Sequence, residues 1–117
     1  MKKALLIVDV QNDFCPGGAL GVPEGDKIVP YINKYIRIFS QKKLPIFATR
    51  DWHPVKSKHF KDFGGVWSVH CIQNSRGAQF HPRLRLPKKY SRKYGLPQCP
   101  LYSRKPYHLN HKHFLEK

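Results

Sequence analysis

Leu44-Pro45-Ile46-Phe47-Ala48-Thr49-Arg50-Asp51-Trp52-His53 decides how this chain is read. Its first six residues form a short, apolar, partly β-branched run of the kind that makes a buried strand. Asp51 and His53 then fall just past the carboxyl end of that strand, where open α/β sheets place their ligand crevice. His59 follows, and after an aromatic, glycine-rich stretch comes Trp67-Ser68-Val69-His70-Cys71. Asp51, His53, His59 and His70 together offer one carboxylate and three imidazoles, donors that ligate at neutral pH without a costly deprotonation. The expected cofactor is a divalent metal, zinc first, with manganese or ferrous iron as alternatives. Singly, each histidine is better explained as a solvated or structural loop residue than as a ligand. The Asp-x-His step at a strand end, with two further histidines close behind, favours a metal.

Working outward, Ala4-Leu5-Leu6-Ile7-Val8 is a second apolar run and reads as a strand over 4–8 buried on both faces. Asp9 closes it against a low-dielectric wall, which raises a carboxyl pKa and suits a general base or acid. The alternative is that Asp9 caps a turn through Gln11-Asn12-Asp13. Cys15-Pro16-Gly17-Gly18-Ala19-Leu20 is a tight loop whose glycines permit close approach to a pocket, or simply make the turn. Between the strands, Ile28, Tyr31, Ile32, Tyr35, Ile36 and Phe39 recur at three- and four-residue spacing, predicting a helix over 27–41 with that stripe against the sheet. Gly25-Asp26 marks its start, with Asp26 as the N-cap. A ligand-bearing loop runs on to about Gly77.

Several blocks, in order and at consistent spacing, carry a family resemblance: Asp9 through Leu20, Val22-Pro23-Glu24-Gly25-Asp26, Asp51-Trp52-His53-Pro54, Trp67-Ser68-Val69-His70-Cys71 and Gly77-Ala78-Gln79-Phe80-His81-Pro82. Over residues 4–86 the chain resembles nicotinamidases (pyrazinamidase/nicotinamidase type) of the isochorismatase-like hydrolase superfamily. The resemblance implies an α/β fold, here the incomplete N-terminal half of a Rossmann-like three-layer sandwich with a parallel sheet. It also implies hydrolysis of nicotinamide to nicotinate and ammonia, a step of NAD salvage, beside a divalent metal. Asp9 resembles the base of the family's Cys-Asp-Lys triad, and Asp51, His53, His59 and His70 resemble its metal ligands. Phe14 and Trp67 resemble the aromatic walls that sandwich the pyridine ring; core packing is the commoner fate of a lone Phe or Trp, so this reading rests mostly on the resemblance. Ser68-Val69 stands where relatives carry a proline between Trp and His, which would displace that wall.

The implied chemistry needs a thiol. An amide is a poor electrophile, so a thiolate would attack the carboxamide carbon once Asp9 has taken the thiol proton, and water would hydrolyse the thioester after ammonia leaves. The metal would orient the pyridine nitrogen or polarise a water, and the lysine would favour the thiolate. The family's nucleophile lies at a later strand-to-helix turn, and this chain reaches Lys117 without such a segment. Cys15 sits in the glycine loop, Cys71 follows His70 and reads as a small buried hydrophobe, and Cys99 lies where the resemblance has lapsed. Lys93 stands near the place of the catalytic lysine, but Tyr94 separates it from Gly95.

Composition shifts at the same point. Residues 1–82 hold 12 Lys and Arg against 6 acids, whereas residues 83–117 hold 10 against Glu116 alone, within a net charge of +15. The expected organisation is therefore a family-like part over 1–86 and a divergent basic tail over 87–117. A frame shift near Leu86 or Pro87 would give an out-of-frame tail; a short paralogue with its own tail is the alternative. Either way, catalysis by this chain is in doubt and marginal stability or aggregation is expected.

An inactive fragment, or a basic polyanion- or nucleic-acid-binding protein using Tyr90, Tyr94, Tyr102 and Tyr107, is the competing reading. No nucleic-acid motif supports it, so any such binding would be non-specific. His108, His111 and His113 read as solvated tail residues rather than a second metal site. No apolar segment is long enough to span a membrane, no signal peptide is evident, and three cysteines without framework spacing fit a reducing cytoplasm. The expected partner is the small molecule nicotinamide, and an oligomer is compatible with the sequence.

Overall fold

The computed structural model describes residues 3–87. Two short strands, β1 (Leu5–Ile7) and β2 (Ile46–Ala48), pair in parallel with Leu5 opposite Ile46, Leu6 opposite Phe47 and Ile7 opposite Ala48. Parallel pairing requires a long crossover, and α1 (Val29–Gln41) supplies it. Both strands are shorter than the apolar runs that announce them.

Helix α1 packs on one face of the pair. Ile7, Ile36, Ile46, Ala48 and Phe80 form the buried core, with Leu5, Val10, Ile32, Phe39, Leu84 and Leu86 packed around it. The inward stripe of α1 is Val29 and Ile36, both buried, with Ile32 and Phe39 partly buried beside them, and it is narrower than expected. Ile28, Tyr31 and Tyr35, assigned to the core by spacing, are 53%, 68% and 53% exposed. They sit one residue before the members of the core stripe, about 100° round the helix, and so face away from the strands.

The start of the helix also differs from expectation. A 3-10 turn over Gly25–Ile28 runs straight into α1, Ile28 is the N-cap residue without a side-chain cap, and Asp26 instead pairs with Arg83 Nη2 at 2.9 Å. Pro30 in the first turn needs no N–H partner and suits that place. The far end closes in a Schellman motif: Leu44 N–H donates to Phe39 O and Lys43 N–H to Ser40 O, with Lys43 at φ 55°.

The face of β1 opposite α1 is not buried. Leu6 and Val8 are both 59% exposed, because among the described residues no second layer covers that side of the pair. The returning segment 77–86 completes the covered side. His81 N–H donates to Val10 O, Gln11 bridges to Phe80, and the Asn33 side chain holds Arg83 O and Arg85 N–H at 2.8 Å each. No helix among the described residues is long and apolar enough to cross a membrane. The basic tail, with Lys93, Cys99, the three tail histidines and the tail tyrosines, lies outside the described residues.

Candidate metal centre

Both strands end at the same place. Asp9 follows β1 at φ 51°, a left-handed conformation that Asp tolerates better than most residues, and its Oδ1 accepts the Thr49 hydroxyl at 2.8 Å. Burial pushes the Asp9 carboxyl above its ordinary value, Asp51 adds to the push, and Thr49 and His53 oppose it. The turn alternative holds only in part, since it is the Asp9 carbonyl that accepts the Gln11 N–H.

Asp51 follows β2 and meets two imidazoles. Its Oδ2 lies 3.5 Å from Nε2 of His53 and 3.5 Å from Nε2 of His70. The His53 imidazole beside Asp51 holds its carboxyl below the ordinary value, with burial opposing. Those separations are long for a strong hydrogen bond, and the buried His53 Nε2 makes none. Two ligands of one ion bound at about 2.1 Å stand roughly 3.0–3.4 Å apart, so the observed separations lie just outside the spacing of a shared cation.

His59 completes the group. The ring nitrogens of His53, His59 and His70 lie within 4.8 Å of one another and could hold a metal ion. His53 and His70 are buried and His59 is exposed. His59 stacks on His53 at 4.8 Å between centroids, and partial desolvation with the two neighbouring imidazoles holds it below the usual histidine value. His70 Nδ1 is 2.7 Å from Ser68 O. A carbonyl only accepts, so Nδ1 carries the proton and the Nε2 lone pair points toward Asp51 and the other imidazoles. An acidic oxygen, an unbonded buried nitrogen and a lone pair fixed in direction make a donor set that fits a divalent cation.

The expected aromatic walls border this cluster. Phe14 lies 5.7 Å and Trp67 6.4 Å from the His70 ring, and Trp67 stacks over His59 at 6.1 Å. Trp67 is 48% exposed, so it is a surface ring and not a core residue. Phe60, wholly buried, supports His53 and His70 edge-on.

Neither described cysteine is a ready nucleophile. Cys71 is fully buried, and burial pushes its thiol far above the ordinary value, with Asp13, Asp51 and Asp9 adding to the push. Cys15 is raised by burial too, with Asp26 adding and Arg83 opposing.

Two residues that hold the site, and a buried arginine next to Asp51 in the chain, escape the sequence reading. Gln11 is fully buried and pairs with the Asp51 backbone. Asp13 accepts the Cys71 N–H. Arg50, 1% exposed, lays its guanidinium 3.8 Å over the Trp52 ring. The only available signal for the first two was their place directly after Asp9, at the mouth of the crevice.

The isochorismatase domain family matches residues 3–93. A nicotinamidase of Escherichia coli (strain K12) is 43% identical over 97 residues, which are 70% of this chain and 46% of that protein. The pyrazinamidase of Pyrococcus horikoshii in complex with zinc superposes with a TM-score of 0.70 at 53% identity, over 75% of this chain and 48% of that one. PnC1 from L. infantum in complex with nicotinate gives 0.61 at 40% identity, over 72% and 42%. The chain thus spans about half the length of the curated relatives it matches. A parallel strand pair with its crossover helix, an acid past each strand end and a match over residues 3–93 all lead to one assignment: this chain belongs to the isochorismatase domain family.

Proposed function

We propose that this chain carries the metal- and ring-binding half of a nicotinamidase-type amide hydrolase, acting on nicotinamide plus water to give nicotinate and ammonia. The observation that carries the reading is the convergence of His53, His59 and His70 past the end of β2, with Asp51 Oδ2 3.5 Å from Nε2 of both His53 and His70. A nicotinamidase relative and a zinc-bound pyrazinamidase with the same fold support it.

In this reading Asp51, His53, His59 and His70 hold zinc or a similar divalent ion. When bound, the ion supplies a Lewis-acidic positive centre that orients the pyridine nitrogen. Phe14 and Trp67 flank the ring, and Trp67 closes the solvent side. Asp9, made more basic by burial, takes the proton of an attacking thiol; sulfur bonds to the carboxamide carbon, ammonia departs, and water cleaves the thioester to the acid. Neither Cys15 nor Cys71 is suited to supply that thiol, and Lys93 and Cys99 lie outside the described residues. The residues described here therefore account for binding and proton acceptance, not for the nucleophile.

The test is ammonia release from nicotinamide by the purified chain with zinc or manganese, beside the same chain extended by the C-terminal half of the E. coli relative. Release only by the extended protein supports the reading. No release by either, with the extended protein folded, sinks it.

A further inference from the structure

We propose that Gln11 is a positioning residue that sets the Asp51 carboxylate for the metal, an inference that rests on the metal site proposed above. Its carboxamide is wholly buried and spans two chain segments at once. Nε2 donates to Asp51 O at 2.8 Å and to Ala78 O at 2.9 Å, while Oε1 accepts Asp51 N–H at 2.7 Å. The side chain thus takes both backbone polar groups of residue 51, as a paired strand would, and fixes that residue at its N–H and its C=O. The Asp51 side chain leaves from the Cα between them, with its Oδ2 held 3.5 Å from two imidazole nitrogens.

The anchor is itself held on the β1 side, since Gln11 N–H donates to Asp9 O and Gln11 pairs with Phe80 across an isolated bridge. Asp9 and Phe80 are therefore tied to the Gln11 main chain, and Asp51 and Ala78 to its carboxamide. The chemistry requires an amide. A donor is needed for the two carbonyls and an acceptor for the N–H, and neither a carboxylate nor an aliphatic chain offers both.

Ligand orientation by such buried partners typically carries about 10–100-fold in metal affinity. Two substitutions separate positioning from simple charge. Gln11→Leu removes the hydrogen bonds at similar volume. Gln11→Glu keeps the length and adds a negative charge near a cation site, so a purely electrostatic role predicts tighter binding and a positioning role predicts weaker binding. The full-length chain and each variant are titrated with Co(II), following both the dissociation constant and the visible d–d bands. Each measurement is repeated in an Asp51→Ala background.

The expected result is affinity about 10–100-fold weaker in both Gln11 variants, with shifted d–d bands. In the Asp51→Ala background the Gln11 substitutions should add little, because the ligand they orient is gone. Equal losses in both backgrounds would assign Gln11 to general folding and overturn the inference. So would unchanged affinity and bands in the variants. If Gln11→Leu does not fold, the Gln11→Glu comparison decides alone. No Co(II) binding by the unaltered chain would overturn the metal-site reading and this inference with it.

Discussion

The Asp13 carboxylate accepts the backbone N–H of Cys71 at 2.7 Å, tying the first loop of the chain to the segment that carries His70. Its other oxygen takes the Ala19 N–H at 3.2 Å, and its main chain bonds Gly77 and Leu20. Cys71 sits at φ 46°, so its N–H is turned toward that carboxylate in a conformation most residues avoid. Removing Asp13 leaves a buried donor without its acceptor. Asp13→Ala should lower unfolding free energy by about 1–3 kcal/mol, read from urea denaturation. Gly77→Ala should be comparably damaging, since an added Cβ would strike the Asp13 carboxylate.

Lys43 offers the opposite case. It ends α1 in the left-handed region, with an exposed side chain. A left-handed residue other than glycine costs roughly 1–2 kcal/mol. Lys43→Gly should therefore raise stability by about 1 kcal/mol, after allowance for the greater freedom of glycine in the unfolded chain. A lower denaturation midpoint would contradict this account of the helix end.

Arg50 is a fully buried cation whose guanidinium rests on Trp52. Trp52→Leu keeps an apolar neighbour but deletes the ring face. A desolvated cation–π contact is worth about 2 kcal/mol, and a loss of that size is expected in thermal or urea melts. No change would mean that the stack contributes nothing beyond contact area.

The cysteines give a prediction with a sign. Burial raises the Cys15 thiol, so the fold favours its neutral form. Stability from this group is fully present below the ordinary thiol pKa, and it is lost as pH rises through the higher folded value. In a Cys99→Ser chain, a thiol reagent at pH 8 should modify Cys15 and Cys71 slowly in the folded protein and rapidly in urea. Fast modification of the folded chain would contradict the burial of both.

Chelation should be visible as a loss of stability. Zinc at a hundredfold excess over its Kd would stabilise the folded chain by about 2.7 kcal/mol, and EDTA should remove that increment. His53→Ala and His70→Ala should abolish the increment. His59→Ala should reduce it less, because His59 is exposed and water can take its place. Calorimetric zinc titration of the three variants checks the order.

Much of this arrangement was legible in the residues. The apolar runs before Asp9 and Asp51 marked both strands and placed both acids, and the three histidines read as ligands do converge. What escaped has a common cause. Gln11 and Asp13 act on backbone atoms of residues 40 to 67 positions away, and backbone atoms leave no signature in a sequence. The stripe on α1 was read too broadly because Ile28, Tyr31 and Tyr35 share the spacing of the core set while lying beside it. The second buried face expected for β1 depended on a layer that the described residues do not contain.

The pairing of Leu5 with Ile46 has a consequence in time. No strand contact can form until the intervening crossover has closed as a loop, and such non-local pairing slows folding. During synthesis, β1 waits without a partner until β2 emerges, and the crevice waits longer, for Ala78 and Phe80. The crevice that gathers Asp51, His53 and His70 therefore takes shape only after the chain has closed on itself.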